Sequence, residues 1–425
     1  VSAGAFRGSA ILGSPTLESV RLNVYSADQS GQVYAAYGAA PGTYSRVSGP
    51  ISLQAGTPAE LTLDGLAGNS RYFYRLYYST GSGAPFGAGD EHAFQTPRTP
   101  GSPFVFDIQG DSHPERERTE FNGELYTRTL TLAAADHPDF YMTSGDDFSV
   151  DTLDAATITR SQVTNRYAIQ RPYLGIIGRE SPVFLVNGNH EQAARYLLNG
   201  TADNVAVWAQ TARNSFYSEP APNSYYTGNT ENVPFIGLLR NYYAWTWGDA
   251  LFVVIDPYWA SPGPVDNVFG GGPKTSRDWD ITHGDAQYRW LKATLENSKA
   301  KYKFVFAHHV LGTGRGGVEV ARLFEWGGQN QNGSNGFAIE RPTWSLPIHQ
   351  LMAANHVTIF FQGHDHIWVR QSLDGVIYQS LPEPANPNYA LLNGDAYLTG
   401  DKFPGSGYTR VTVGPSNVTV EYVRS

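Results

Sequence analysis

Residues 357–366 read Val-Thr-Ile-Phe-Phe-Gln-Gly-His-Asp-His. Five of the first six residues suit a buried strand, and the run stops at Gly363, where a polar tetrad begins. Composition alone would give Gly-His-x-His about 0.03 times in a chain with 45 glycines and 11 histidines among 425 residues, so the pairing is not incidental. The same design recurs four times upstream. Phe104–Ile108 leads to Gly110-Asp111-Ser112-His113, and Phe140–Met142 to Gly145-Asp146-Asp147. Val183–Val186 leads to Gly188-Asn189-His190-Glu191, and Phe304–Ala307 to His308-His309. Continuous apolar runs of this length suit strands covered on both faces, and in open α/β sheets ligands gather beyond the carboxyl ends of the strands. Five loops should therefore meet in one crevice.

Between these runs lie helical stretches. The clearest is Asp285–Ser298, with Tyr288, Leu291 and Leu295 as its apolar stripe and Asp285 expected as the N-cap. The stretches 150–180, 195–240 and 256–283 are rich in Gly, Pro, Asn and aromatics and read as long insertions. The expected architecture is α/β, a layered β-sandwich flanked by helices.

The chain ahead of residue 104 has another character. Val20–Tyr25, Val33–Tyr37, Leu61–Leu63 and Tyr72–Tyr78 are short strand-like runs parted by turn-rich pieces such as Pro41-Gly42-Thr43. In the last run Tyr72, Tyr74 and Leu76 alternate with Phe73 and Arg75, a half-buried strand. Thr96-Pro97-Arg98-Thr99-Pro100-Gly101-Ser102-Pro103 is a Pro-rich junction, which sets domains at 1–97 and 104–425.

Composition narrows the chemistry. The chain has no cysteine, so disulfides, thiolate nucleophiles and zinc–cysteine sites are excluded. Any metal must be held by His, Asp, Glu, Asn or backbone oxygen, and six of the eleven histidines fall in the five motifs. A net charge of −9 argues against a duplex nucleic-acid partner. Leu251–Ile255, the densest apolar run, is far too short to span a bilayer. Val1 is not a natural start, so a preceding segment is expected. The lack of cysteine, with 26 Tyr, 9 Trp and only 30 Lys+Arg, tilts the expected location to extracytoplasmic, secreted or periplasmic.

The ordered set Asp-x-His, Gly-Asp, Gly-Asn-His-Glu, His, Gly-His-x-His resembles the signature of calcineurin-like metallophosphoesterases, over about residues 104–370. Leu63-Asp64-Gly65-Leu66 followed by Tyr72 is similar to the tyrosine corner of fibronectin type III-like domains. A β-sandwich ahead of the catalytic domain is the domain order of purple acid phosphatase relatives.

The resemblance implies two metal ions, Mn, Zn or Fe. Asp111, His113 and His366 would hold one, and Asn189, His308 and His364 the other. Asp146 would bridge them, and His190 would stand at the leaving-group oxygen as proton donor without being a ligand. A bridging carboxylate offsets the repulsion of two cations, and a water between them is acidified to hydroxide. Glu191 is a candidate orienting residue, and Asp147 a candidate orienting or substrate residue. His309 either contacts substrate or packs.

Ser149 stands where purple acid phosphatases place a metal-binding tyrosine, so no tyrosinate–iron chromophore is expected. Asp107 is a rival to Asp111 for the first aspartate, although its place inside the apolar run favours a structural role. Tyr258, Trp259 and Trp279 are expected to line the cleft mouth, Trp245 and Trp247 to pack in the core, and Arg171, Arg179, Arg195 and Arg240 to be surface residues.

The expected substrate is a small phosphorylated molecule, with phosphomonoesters favoured over phosphodiesters and non-phosphate esters as a remote third. The alternative from another class is an extracellular binding or adhesion protein whose metal centre has lapsed or is structural. The retained His190 counts against it, because a lapsed site has no chemical reason to keep a non-ligand histidine.

Overall fold

The computed structural model describes residues 4–425 apart from 82, 312 and 313. Seven strands form the first part. Ser9–Gly13, Val20–Tyr25 and Ala59–Leu63 make one antiparallel sheet; Arg46–Leu53, Gly31–Gly38, Arg71–Ser79 and Gly87–Gln95 make another, in that spatial order. Alternation decides which residues face inward: Tyr72, Tyr74, Leu76 and Tyr78 are buried against Leu12, Leu22, Val33 and Leu63, whereas Phe73, Arg75 and Tyr77 stay half-exposed. The Tyr72 hydroxyl accepts a 2.9 Å hydrogen bond from the Ala67 amide. This pins the turn before its strand.

From Phe104 onward two sheets pack face to face. The five-stranded sheet runs Val183–Leu185, Phe140–Thr143, Phe104–Gln109, Gly407–Val413, Val418–Arg424. Its first three strands are parallel, with Phe106 opposite Phe140 and Val183 opposite Tyr141. The eight-stranded sheet has at its centre the parallel strands Ala250–Val254, Tyr302–Phe306 and Ile359–Gln362, in the register Phe252–Phe304–Ile359. Aromatic rings fill the space between the sheets. Phe252 lies 5.2 Å from Phe106 and 5.1 Å from Phe140, both edge to face, the arrangement that ring quadrupoles favour. Trp245 and Trp247 are buried here, as their alternation before this strand predicts.

Helices cover both outer faces. Gly123–Ala135 starts where the Asn122 side chain accepts from the Leu125 amide, and it buries Leu125, Tyr126, Leu130 and Ala133 on the five-stranded sheet. Asp285–Asn297 buries Tyr288, Leu291 and Leu295 on the other sheet. Each such aliphatic side chain contributes roughly 1.5–3 kcal/mol by leaving water. The order is therefore helix, sheet, sheet, helix, as the apolar runs imply. The cap of the last helix differs from expectation: Gly284, at φ 80°, precedes it, and Asp285 sits in the first turn, accepting from Trp344 Nε1 at 2.7 Å.

Two of the presumed insertions belong to this outer layer. Residues 150–180 contain the helices Arg160–Ala168 and Arg171–Gly178, and 195–240 contain Val205–Phe216, all packed in one core with Tyr141 and Leu185. Arg171 is wholly buried, contrary to a surface reading. Its guanidinium donates to Ser9 Oγ, Asn23 Oδ1 and the carbonyls of Ser9, Asn23 and Phe216, at 2.5–3.2 Å, and so ties the first sandwich to the helical layer. Tyr74 adds a hydrogen bond of 2.6 Å to the Arg179 carbonyl. Among the described residues no helix is long and apolar enough to cross a membrane.

Candidate metal centre

The three parallel strands of the five-stranded sheet end in Asp111 and His113, in Asp146, and in Asn189 and His190. The central strands of the eight-stranded sheet end in His308 and His309, and in His364 and His366. The two sets face each other across the seam between the sheets. Side-chain donor atoms of Asp111, His113 and His366 lie within 4.8 Å of one another, as do those of Asp111, Asp146 and His308, and those of His308, His309 and His364. His366 Nε2 is 3.0 Å from Asp111 Oδ2, and His308 Nε2 is 2.9 Å from Asp146 Oδ2. Asp146 belongs to two of these groupings, the second with His113 and His190.

Glycines make the convergence possible. A Cβ on Gly188 would come within 2.1 Å of Asp146 Oδ1, and one on Gly363 within 2.5 Å of Asp111 Oδ1. Four non-glycine residues of the site have left-handed backbones: His113 (φ 44°), Asp146 (58°), His364 (67°) and His366 (60°). Each such conformation costs on the order of 1–3 kcal/mol and persists only where surrounding structure enforces it.

The polar atoms are fixed on one side and left bare on the other. Asp111 Oδ1 accepts from the His364 amide at 2.8 Å, and Asp146 Oδ1 from the His190 amide at 2.9 Å. The Ser144 carbonyl can only accept, so His308 Nδ1 donates to it at 2.8 Å, which leaves Nε2 with its lone pair inward. His366 Nδ1 meets Glu383 Oε1 at 3.0 Å. His113 Nδ1 lies 3.2 Å from both Glu115 Oε1 and Ser149 Oγ, so Ser149 supports a histidine in this chain. On the inner side Asp111 Oδ2, His113 Nε2, His308 Nε2, His364 Nε2 and both amide atoms of Asn189 are buried without a hydrogen-bond partner. Buried polar atoms rarely go unpaired. Carboxylate, imidazole and amide donors aimed at shared space fit divalent cations, and the residues present suit a pair of them.

Electrostatics point the same way. Burial lowers the pKa of His113, but Asp111 and Glu115 outweigh it and hold the group at about 9. Burial likewise opposes protonation of His308, yet Asp146 and Asp111 raise it to about 10. The pocket draws positive charge, and protons take that place when no cation does.

The remaining expectations divide. Glu191 accepts from the amides of Asp147 (3.1 Å) and Gly188 (2.8 Å), which clamps two donor-bearing loops together. Asp147 lies beneath the donors and holds the loops that carry them. It is fully buried, its carboxylate accepts from Ser112 Oγ at 2.6 Å and Gln109 Nε2 at 3.1 Å, and burial raises its pKa to about 7. His309 is buried with Nδ1 2.8 Å from the Tyr258 hydroxyl, and its ring stacks on His364 at 4.5 Å. Asp107 lies within its strand, buried and apart from the donors, so it is no rival to Asp111. Of the three aromatics expected at the cleft mouth only Tyr258 reaches the site. Trp259 packs on Ala206, Val233 and Leu239, and Trp279 on Leu323 and Phe324.

Four neighbours carry no signal in the motifs. Asp151 places Oδ1 2.8 Å and Oδ2 2.9 Å from His190 Nδ1. Arg116 brings its guanidinium to 3.3 Å from His190 Nε2, held by Glu120 and by Glu115 at 3.5 Å. Asp266 and Asn267 come from the stretch 256–283; Asp266 Oδ2 is 3.1 Å from His364 Nε2, and Asn267 Nδ2 is 2.8 Å from Asp151 Oδ2. An acidic residue a few positions beyond Gly-Asp was the available hint for Asp151; nothing local marks the others.

No curated protein matches the chain in sequence. Among solved structures, the purple acid phosphatase PPD1 from yellow lupin (Lupinus luteus) seeds has a TM-score of 0.62 at 16% identity, covering 98% of this chain and 71% of that one. GAP50, the anchor in the inner membrane complex of Plasmodium, has a TM-score of 0.41 at 13% identity, covering 76% of this chain and 84% of that one. The first likeness fixes the fold alone. The family model for calcineurin-like phosphoesterases matches residues 104–368. That span holds all five donor loops and more than half of the chain, and by it the protein belongs to the calcineurin-like phosphoesterase family.

Proposed function

We propose that the protein hydrolyses small phosphate monoesters with the aid of two metal ions. One observation carries this reading: buried, unpartnered donor atoms from four separate loops, with Asp146 of a fifth loop among them, face one another across the seam between the sheets. Asp111, His113 and His366 would hold one cation, Asn189, His308 and His364 the other, and Asp146 would serve both. Bound there, the cations neutralise phosphoryl charge and acidify a water. The chain itself does the rest. Arg116 reaches the same space as His190 and binds a non-bridging phosphoryl oxygen. His190 delivers a proton from Nε2 to the leaving oxygen once Arg116 has turned from that nitrogen to the phosphate, while Asp151 holds Nδ1 and the ring in place.

The preference for monoesters is supported by the residues that close over the donors. Asp266 and Asn267 lie against His364 and His190 and narrow the approach to the donors. The first sandwich, residues 1–97, is a fibronectin type III-like companion to a catalytic domain over 104–425. The three-plus-four strand arrangement and the Tyr72–Ala67 hydrogen bond support that assignment.

The test is metal-reconstituted protein assayed on matched mono- and diesters of one alcohol. Monoester turnover that a chelator abolishes and metal restores is expected. Two cations bound with neither ester cleaved would favour the binding-protein alternative; cleavage of the diester alone would reverse the substrate preference.

A further inference from the structure

We propose that Asp266 is a further cation ligand beside His364, carried in by a segment that crosses the centre from one side of the molecule to the other. The inference rests on the two-metal reading above.

The segment's ends are anchored in different cores. Val265 is buried with Tyr258, Val305 and Val310 on the outer side of the eight-stranded sheet. Phe269 packs against the core of the five-stranded sheet's helices, with Leu153 as a neighbour in that cluster. Residues 266 and 267 therefore lie over the seam where the donors meet. Asn267 fastens one half, with its amide 3.0 Å from His190 Nε2 and 2.8 Å from Asp151 Oδ2.

Asp266 meets the other half. Its Oδ2 is 3.1 Å from His364 Nε2, yet that nitrogen makes no directed hydrogen bond. Two donors on one cation, each bonded at about 2.0–2.2 Å, stand about 3.0–3.4 Å apart without pointing at each other. The same spacing separates His366 Nε2 from Asp111 Oδ2, at 3.0 Å. A plain ion pair would direct the imidazole N–H at the carboxylate. The Asp266 side chain is 34% exposed, so it is the donor nearest to solvent and the one a phosphoryl oxygen could displace. Gly270, Gly271 and Gly272 follow Phe269 with φ of 82°, 80° and 103°, conformations that glycine adopts freely, so this end of the segment can give way.

The experiment measures cation retention by elemental analysis against a chelator series, using the full chain, its Asp266→Ala and Asp266→Asn variants, and Asn267→Ala as a comparison. Circular dichroism checks the fold of each. Wild type should hold two cations, and both Asp266 variants should release one of them at a chelator level at least about 10–100-fold lower. Asn267→Ala keeps the carboxylate and should release a cation less readily than either Asp266 variant. If Asp266→Ala and Asp266→Asn, folded, keep both cations as tightly as wild type, Asp266 is not a ligand. If Asn267→Ala loosens a cation equally, the effect belongs to the anchoring of the segment, and ligation by Asp266 is overturned. A wild-type chain that takes up no second cation would instead overturn the two-metal reading itself.

Discussion

Replacing Asp151 by Asn isolates the role of His190 without touching a proposed ligand. The Asp151 side chain is 11% exposed and places both oxygens within 2.9 Å of His190 Nδ1. A hydrogen bond to a charged group contributes about 1.5–3 kcal/mol, and each 1.36 kcal/mol is a factor of ten in rate, so kcat should fall about ten- to 150-fold. Asn preserves shape while removing the carboxylate charge beside the ring, so metal content should be unchanged. The fall should depend on the leaving group. An alkyl phosphate needs a proton on its departing oxygen, whereas a nitrophenyl phosphate does not, so the loss should be large for the first and small for the second. His190→Ala should cost about 10²–10⁴, and adding Asp151→Asn to it should cost almost nothing more, because the carboxylate acts through the ring it no longer has. Steady-state kinetics of the four chains on both esters is the assay. Fully additive losses, or an equal loss on the two esters, would refute the proton-delivery argument.

Other outcomes follow from the same geometry. In chelated protein His113 and His308, held at about 9 and about 10 against an ordinary 6.5, contribute stability that is complete below pH 6.5 and is lost as pH rises toward 10. Thermal melts should therefore show Tm falling across that window without metal, and much less with it. Arg171→Ala should leave the carbonyls of Ser9, Asn23 and Phe216 unpaired and cost about 3–5 kcal/mol. At about 2.1 cal/mol/K per residue over 425 residues, that lowers Tm by roughly 3–6 °C if the chain melts as one unit. A much larger fall, confined to the signal of the first sandwich, would show that it melts alone. Arg116→Ala should weaken inhibition by inorganic phosphate roughly tenfold while retaining both cations, read from the inhibition constant.

What the sequence conveyed, and what it withheld, has a physical pattern. The five donor loops were legible because each is announced by an apolar run that can only be a covered strand and is followed by residues chosen for lone pairs. The edge strands Arg46–Leu53 and Gly87–Gln95 were not, since an edge that faces water carries Arg, Ser, Asp and Glu and loses the period-2 signal. Arg171 was misjudged because nothing in Gln170-Arg171-Pro172 reports that carbonyls of Ser9 and Asn23, far away in the chain, surround it. Asp151, Arg116 and Asp266 share that blindness: each is a single polar residue in irregular backbone, and only the folded chain brings it to the histidines. Trp259 and Trp279 show the converse, since Gly- and Pro-rich surroundings suggested a rim while the rings are buried.

The donors are divided between two separate β-sheets, and no single loop owns a complete coordination sphere. The distance between the sheets is set by the rings of Phe106, Phe140 and Phe252, well below the crevice. The proposed ion affinity should therefore vary with the size of these rings. A slimmer ring at position 252 would draw the sheets together and crowd the ions, and selection for a smaller or larger cation could act there without changing one ligand.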